Sequence, residues 1–232
     1  MTNILVTRPI REATLTAKTL ESMGHTVLIA PMLQIEPVSF ELPEENRSLI
    51  ITSRNAARFG LVNIGNKTRP IFAVGEQTAE EARTLGFTNV TVGPGTSREI
   101  VPLLLECGVS EKRKYSHLCG NNVSYDIAAV LRDEGLDAVQ TVTYQTQPAR
   151  GMSMDVREAL DANEIDVALF YSPRTATTFE EVVADYGRSD WLRKMKAVCL
   201  STRVADNLLG PWQSKEYAII PTEKAVLSLL GG

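Results

Sequence analysis

This 232-residue chain has few of the residues that build disulfide-linked or metal-bound proteins, with only three cysteines and two histidines. The cysteines (Cys107, Cys119 and Cys199) are odd in number and unevenly spaced, which argues against a disulfide framework. The chain has no CxxC pair, and so few histidines do not form the usual ligand pattern of a zinc site. We therefore expect no bound metal or cofactor.

Long apolar runs are also missing. No stretch approaches the roughly 20 apolar residues that a membrane-spanning helix needs, and the first residues follow a strand pattern rather than that of an export signal. The net charge of −4 argues against general nucleic-acid binding, which draws most of its affinity from a basic surface. These absences predict a cytoplasmic protein that binds neither membranes nor nucleic acids.

Motifs for nucleotides and for hydrolysis are absent as well. The glycine loop at residues 93–97 lacks the lysine and the spacing of a phosphate-binding loop, and there is no dinucleotide fingerprint. No Ser/His/Asp set is evident. His25 follows a turn glycine and His117 lies within a predicted strand, so we interpret both histidines as structural.

What the chain does contain is a repeat. Four signatures of its first half return in the same order in the second half, at a separation far longer than the roughly 20 to 50 residues of a solenoid repeat. This pattern predicts two copies of one small domain. The paired segments are residues 4–8 and 116–120, 50–56 and 169–176, 74–79 and 200–205, and 96–104 and 222–230.

Short apolar, β-branched runs alternate with amphipathic helical patterns along the whole chain. This alternation is typical of parallel sheets that helices cover on both faces, which is an α/β doubly wound architecture. The predicted strands are residues 3–7, 26–30, 48–52, 71–74, 89–92, 115–119, 138–143, 167–171, 196–200 and 217–220.

Two segments, residues 32–37 and 143–148, interrupt this rhythm. Both alternate polar and apolar residues and both end at a proline, as suits an edge strand or a linker. We interpret residues 34–38 and 144–148 as the connections between the two domains.

Two domain arrangements fit the repeat equally well. A simple tandem would divide the chain near residue 112, whereas the linkers would make residues 39–143 a domain inserted between residues 1–33 and 149–232. Each arrangement gives each domain one copy of every signature, so periodicity alone does not choose between them.

The repeated signatures predict where a ligand binds. In open parallel sheets, ligands lie beyond the carboxyl ends of the strands, and six of the repeated segments are positions where a strand end meets a helix start. Their Ser, Thr and Asn residues are also good helix caps, and Pro9 and Pro173 suit a first helical turn, so capping alone is an equally plausible role at any one position.

Four of these junctions also carry an arginine, which can meet a carboxylate with two parallel hydrogen bonds. Helix N-termini likewise favour anions. Together they predict a cleft that binds a polyanion. The candidate binding residues are Thr7, Arg8, Thr52, Ser53, Arg54, Asn55, Gly75, Gln77, Thr78, Gly120, Asn121, Ser172, Arg174, Ser201, Thr202 and Arg203.

Two other functions fit part of this pattern. A non-catalytic two-domain protein that closes on a small anion would need the same rim. A racemase would use Cys119 and Cys199 as facing thiols, although neither has an adjacent acid or base, and core packing explains both cysteines better.

The order of the motifs resembles that of the uroporphyrinogen-III synthase family over essentially the whole chain. The matching segments are residues 5–9, 52–56, 73–79, 143–146, 172–173 and 221–222.

This resemblance implies two flavodoxin-like domains with parallel sheets, the inserted-domain arrangement and a two-stranded extended hinge. It implies a lyase that acts on hydroxymethylbilane, a linear tetrapyrrole with eight carboxylates. The enzyme would expel the hydroxyl group, invert ring D through a spiro intermediate and close the ring as uroporphyrinogen III without a cofactor or metal. Tyr144 matches a family tyrosine and would assist departure of the hydroxyl as a general acid. A monomer is expected.

Overall fold

The computed structural model describes residues 1–230, which alternate strands and helices as the sequence predicts. In chain order the elements are β1 (Asn3–Val6), α1 (Ile10–Ser22), β2 (Thr26–Ile29), β3 (Leu33–Pro37), β4 (Arg47–Ile51), α2 (Arg54–Gly60), β5 (Ile71–Ala73), α3 (Glu76–Thr84), β6 (Val90–Val92), α4 (Val101–Glu111), β7 (Lys114–Gly120), α5 (Ile127–Asp133), β8 (Ala138–Pro148), α6 (Met154–Asp161), β9 (Val167–Phe170), α7 (Pro173–Asp185), a 3₁₀ helix (Trp191–Lys194), β10 (Lys196–Cys199), α8 (Thr202–Ala205), β11 (Ser214–Tyr217) and α9 (Glu223–Ser228).

The chain divides into two compact units. Unit 1 contains residues 1–34 and the part of the chain that begins at residue 147, and unit 2 contains residues 35–146. Each unit is built on a largely parallel sheet between layers of helices, which confirms the predicted α/β class.

The sheet of unit 1 has five parallel strands in the order β11-β10-β9-β1-β2. Both faces are covered, so β1 and β9 are buried along most of their length. On one face Phe170 packs edge-on against Phe179 and Trp212, with ring centroids 5.4 and 5.5 Å away. Such aromatic pairs stabilise the core beyond the burial of apolar surface, because they favour a defined ring geometry.

The sheet of unit 2 has six strands in the order β3-β8-β7-β4-β5-β6. Its strands β7, β4 and β5 take the places that β1, β9 and β10 take in unit 1, and these are the strands that carry the matching sequence signatures. The sequence repeat is therefore a structural repeat in which the second copy starts at a different strand. Gly24 and Gly135, which follow the corresponding helices α1 and α5, both have left-handed φ angles, 88° and 81°.

The two extended segments pair with each other as β3 and β8. The backbone N–H of Ala149 donates to the carbonyl of Met32 at 2.9 Å, and that of Val38 donates to the carbonyl of Thr143 at 3.2 Å. The residue numbers of the partners increase along one strand and decrease along the other, so the pair is antiparallel.

Two predictions about local structure are wrong. The last strand is residues 214–217 rather than 217–220, because the edge strand β11 alternates in exposure while the apolar residues after it lie outside the sheet, with Ile219 93% exposed. Gly120 and Asn121 are not followed at once by a helix either. Helix α5 begins at Ile127, and Asp126 is its cap.

Within residues 1–230 no helix is both long and apolar enough to cross a membrane. The same residues contain no cluster of His, Cys, Asp and Glu that could hold a metal ion.

Candidate functional site

Each unit has one place where the fold itself favours a ligand. In unit 2 the connections leave the neighbouring strands β4 and β7 in opposite directions, and in unit 1 the same is true of β9 and β1. A crevice opens beyond the carboxyl ends of the strands at such a switch point. The predicted site residues Thr52, Ser53 and Gly120 lie at this edge of unit 2, and Arg8 and Ser172 lie at that of unit 1.

Tyr144 lies at the switch point of unit 2. It is on β8 opposite Gly120, at a register shift between β7 and β8. Its hydroxyl is 3.1 Å from the Oγ of Ser53, and its ring is 6.0 Å from that of Phe59 between centroids. Burial raises the pKa of the Tyr144 phenol, and the hydrogen bond with Ser53 opposes that shift only in part. The phenol is therefore protonated at neutral pH and can donate a proton.

Ser53 has a second role, because it caps helix α2. Its Oγ accepts a hydrogen bond from the backbone N–H of Ala56 at 3.0 Å. The capping interpretation and the functional interpretation of this serine are thus compatible, since the same oxygen meets both the helix and the phenol.

Thr52 lies between β4 and Ser53 in the chain and contacts a buried histidine. The Oγ1 of Thr52 is 3.2 Å from the Nε2 of His117, which is completely buried on β7. Burial lowers the pKa of His117 to about 4, although the charge of Asp126 opposes this effect. The imidazole is therefore neutral at neutral pH.

The other candidate residues of unit 2 differ in their hydrogen-bond partners and in their exposure. Asn55 accepts from Arg58 at 3.2 Å, and Asn121 accepts from the backbone N–H of Thr146 at 3.0 Å. Gly75 caps helix α3, where Gln77 is exposed and Thr78 is buried. Arg54 is half-buried at the start of α2.

The switch point of unit 1 is organised around Arg8. Its Nη1 lies 2.7 Å from the carboxylate of Glu223 and 3.1 Å from the hydroxyl of Thr16, which also donates to Glu223 at 2.5 Å. The guanidinium lies 4.1 Å from the centre of the Tyr171 ring. Arg8 is thus held in place by a carboxylate of the protein and by an aromatic face.

Two neighbours of this arginine are Thr7, which precedes it in the chain, and Tyr171, whose ring contacts its guanidinium. Burial raises the pKa of Tyr171 to about 12, an effect that the charge of Glu223 reinforces and that of Arg8 opposes. Thr7 is completely buried, and its hydroxyl donates to the carbonyl of Leu169 at 2.6 Å. The side chain of Thr7 therefore joins β1 to β9.

The remaining candidates of unit 1 are at the starts of two helices. Ser172 caps α7 by accepting from the backbone N–H of Thr175 at 3.1 Å. Ser201 precedes the four-residue helix α8 and makes no side-chain capping bond. The candidates that are exposed to solvent here are Arg174, Thr202 and Arg203.

Both cysteines of the racemase hypothesis are buried within their own units. Burial raises the pKa of Cys119 to about 11 and that of Cys199 to about 12. Neither thiol is therefore ionised near neutral pH, whereas the thiolate is the reactive form. The geometry supports core packing for both.

The sequence interpretation missed three residues that contact the candidates at these edges: His117, Tyr171 and Glu223. The repeat could have identified Tyr171, because Tyr171 precedes Ser172 as the candidate Thr52 precedes Ser53. The other two residues meet partners that are far away in the chain, and nothing local in the sequence announces those contacts.

Comparison with known proteins agrees with this architecture. Residues 15–225 match the family model described as Uroporphyrinogen-III synthase HemD. A curated uroporphyrinogen-III synthase from Chlorobaculum parvum is 25% identical over 207 residues, which cover 82% of this chain and 82% of that protein.

Two solved structures share the fold. The uroporphyrinogen-III synthetase of Helicobacter pylori aligns over 99% of this chain and 98% of its own, with a TM-score of 0.66 and 20% identity. A mutant uroporphyrinogen III synthase from the extremely thermophilic bacterium Thermus thermophilus aligns over 100% and 97%, with a TM-score of 0.55 and 19% identity. Since the family match covers most of its length, this chain belongs to the uroporphyrinogen-III synthase family of lyases in tetrapyrrole biosynthesis.

Proposed function

We propose that this enzyme converts hydroxymethylbilane into uroporphyrinogen III and that Tyr144 is its general acid. The observation that supports this assignment is the protonated phenol of Tyr144, which Ser53 holds at 3.1 Å at the switch point of unit 2. A proton donor in this position stands where open α/β sheets bind their ligands.

The proposed reaction does not require a strong acid. The electron-rich pyrrole at the end of the substrate expels its hydroxyl group once that group is hydrogen-bonded, and a proton from Tyr144 makes the leaving group water. The resulting cation is attacked by the substituted carbon of ring D, which forms the spiro intermediate. Fragmentation of that intermediate and closure at the other carbon invert the ring. A proton lost from the final pyrrole carbon balances the one that Tyr144 gave.

Specificity for the type III isomer requires positioning more than acid–base strength. Attack at the substituted ring carbon must win over simple closure, so the chain must be held in one geometry. We propose that the hydroxyl groups, helix N-termini and arginines at the carboxyl edges of both sheets bind the eight substrate carboxylates. Arginine and free backbone N–H groups suit this task because both recognise carboxylates directionally.

We further propose that residues 1–33 and 149–232 form one domain, that residues 39–143 form the inserted domain, and that residues 34–38 and 144–148 are the hinge. The antiparallel pairing of β3 with β8 supports this assignment, because β8 continues to Pro148 beyond Tyr144, its last residue paired with β7. We also propose a cytoplasmic monomer that acts without nucleic acid.

Incubation of the enzyme with hydroxymethylbilane, followed by separation of the product isomers, tests the function. We expect type III product well above the protein-free control, and a yield equal to that control would refute the synthase assignment. Tyr144→Phe should lower kcat by about 100-fold, the lower end of what a positioned general acid contributes. Tyr217→Phe, which alters an exposed tyrosine of β11, is the matched control. Equal kcat for the two variants would remove Tyr144 from the chemistry.

A further inference from the structure

His117 is a polar residue in a place where burial is costly. It lies in the middle of β7, with no exposed surface, opposite Ile50 of the neighbouring strand. Its Nε2 is 3.2 Å from the Oγ1 of Thr52, whereas its Nδ1 is buried and has no partner within residues 1–230. A buried polar group that is only half satisfied calls for an explanation.

The unpaired nitrogen determines which tautomer is favoured. If Nδ1 carried the hydrogen, a buried N–H donor would be left without an acceptor, and such donors are rarer in proteins than unsatisfied acceptors. If Nε2 carries it, the imidazole donates to Thr52 and only a lone pair on Nδ1 stays unpaired. The second tautomer is therefore the more stable one.

This tautomer fixes the direction of the Thr52 hydroxyl. A hydroxyl group has one hydrogen and two lone pairs. When one lone pair accepts from His117, the hydrogen of Thr52 must point elsewhere. Thr52 is half-buried at the carboxyl end of β4, beside Ser53, so this hydrogen is available to a ligand at the switch point.

We propose that His117 is a positioning residue that donates to Thr52 and so makes the Thr52 hydroxyl a hydrogen-bond donor to a substrate carboxylate. This proposal rests on the proposed function and adds a specific donor to it.

The surroundings keep His117 in the neutral form that this role needs. Asp126, at the cap of α5, is the charged group that favours protonation, and Cys119, two residues along the same face of β7, has a protonated thiol. Desolvation outweighs the effect of Asp126, so the pKa of His117 falls to about 4. An imidazolium would also donate to Thr52, but the neutral ring does so without placing a charge in the core.

The nitrogen chemical shifts of the imidazole test the tautomer directly. The chain has two histidines, so two sets of ¹⁵N signals are expected, and His25→Gln assigns them. We expect the signals of His117 at pH 7 to show hydrogen on Nε2. A signature with hydrogen on Nδ1 would overturn the proposal, whatever the product isomer.

Kinetics then test whether His117 acts through Thr52. His117→Leu should raise KM for hydroxymethylbilane about five- to tenfold with little change in kcat, since one directed hydrogen bond to a carboxylate is weakened. His117→Gln, which keeps an N–H near the position of Nε2, should recover most of that loss. His25→Gln is the control for removing a histidine elsewhere.

The decisive comparison uses Thr52→Val as the background. If His117 acts by orienting Thr52, His117→Leu will change KM little once the hydroxyl is gone. An equal rise in KM in both backgrounds would overturn the proposal, and so would an unchanged KM in the single variant. If His117→Leu does not fold, the tautomer measurement on the wild-type enzyme decides. Type III product from the wild-type enzyme shows in every case that the synthase function itself stands.

Discussion

The backbone of Gly120 lies so close to the ring of Tyr144 that a β-carbon at position 120 would stand 2.6 Å from the Cζ atom of the tyrosine and 3.0 Å from its hydroxyl oxygen. The two residues oppose each other where β7 and β8 shift register. The hydroxyl of Tyr144 also lies 3.1 Å from the Oγ of Ser53. The absence of a side chain at position 120 therefore determines where the phenol lies.

Gly120→Ala should consequently impair catalysis rather than folding. The added methyl group must displace the phenol from its position beside Ser53, because contacts this short do not occur between real side chains. A displacement of about 1 Å in a catalytic group can cost on the order of a hundredfold in rate, so we expect kcat to fall by about ten- to a hundredfold. Gly65→Ala is the control, since nothing lies within 4 Å of a β-carbon there. Equal kcat for the two variants would contradict the prediction.

Ser53→Ala removes two interactions at once. It should destabilise unit 2 by about 1 kcal/mol through loss of the α2 cap, and it should lower kcat because Tyr144 loses its partner. Thr222→Ala is the matched control, because Thr222 caps α9 by accepting from Ala225 at 3.2 Å and contacts no tyrosine hydroxyl among the described residues. Urea unfolding and turnover should separate the effects. If both variants lose kcat to the same extent, the Ser53–Tyr144 contact does not matter for the reaction.

The pairing of Arg8 with Glu223 leads to a prediction about substrate affinity. The two groups are 2.7 Å apart and partly exposed, so the pair adds little to stability. A substrate carboxylate that binds Arg8 must compete with Glu223. Glu223→Gln should therefore lower KM by about two- to fivefold, roughly the worth of one exposed ion pair.

Glu21→Gln on α1 makes the same change in net charge at an exposed position and serves as the control. If both variants lower KM equally, the effect comes from overall charge and not from Arg8.

The sequence predicts those parts of this fold that depend on local pattern. Apolar runs locate β4 and β9, and the repeated signatures correctly identify two related units. The pattern fails at β11, where a half-exposed edge strand precedes the apolar residues 218–220. There the apolar content alone is misleading, because an edge strand with one solvated face needs few apolar residues.

The sequence does not reveal which site residues meet. The contact of His117 with Thr52 exists only because β7 and β4 are neighbours in the sheet, and that of Arg8 with Glu223 joins opposite ends of the chain. His117, which the sequence places within a strand, is completely buried. Its hydrogen-bond partner depends on strand order, which local periodicity does not determine.

The buried imidazole of His117 also makes stability depend on pH. Its pKa is about 4 in the folded protein against 6.5 for an exposed histidine, so the unfolded chain binds the proton more tightly. The stabilisation is fully present above pH 6.5 and is lost as the pH falls towards 4, by up to about 3 kcal/mol. His117→Gln should lack this loss, although other groups, including Asp126, titrate in both proteins.

Because Trp191 and Trp212 both lie in unit 1, unfolding of unit 2 should be followed by hydrogen exchange of β7 amides rather than by fluorescence. If the difference in the free energy of unfolding between wild type and His117→Gln is the same at pH 7 and at pH 4, His117 is not desolvated in solution. His25→Gln is the control for loss of a histidine.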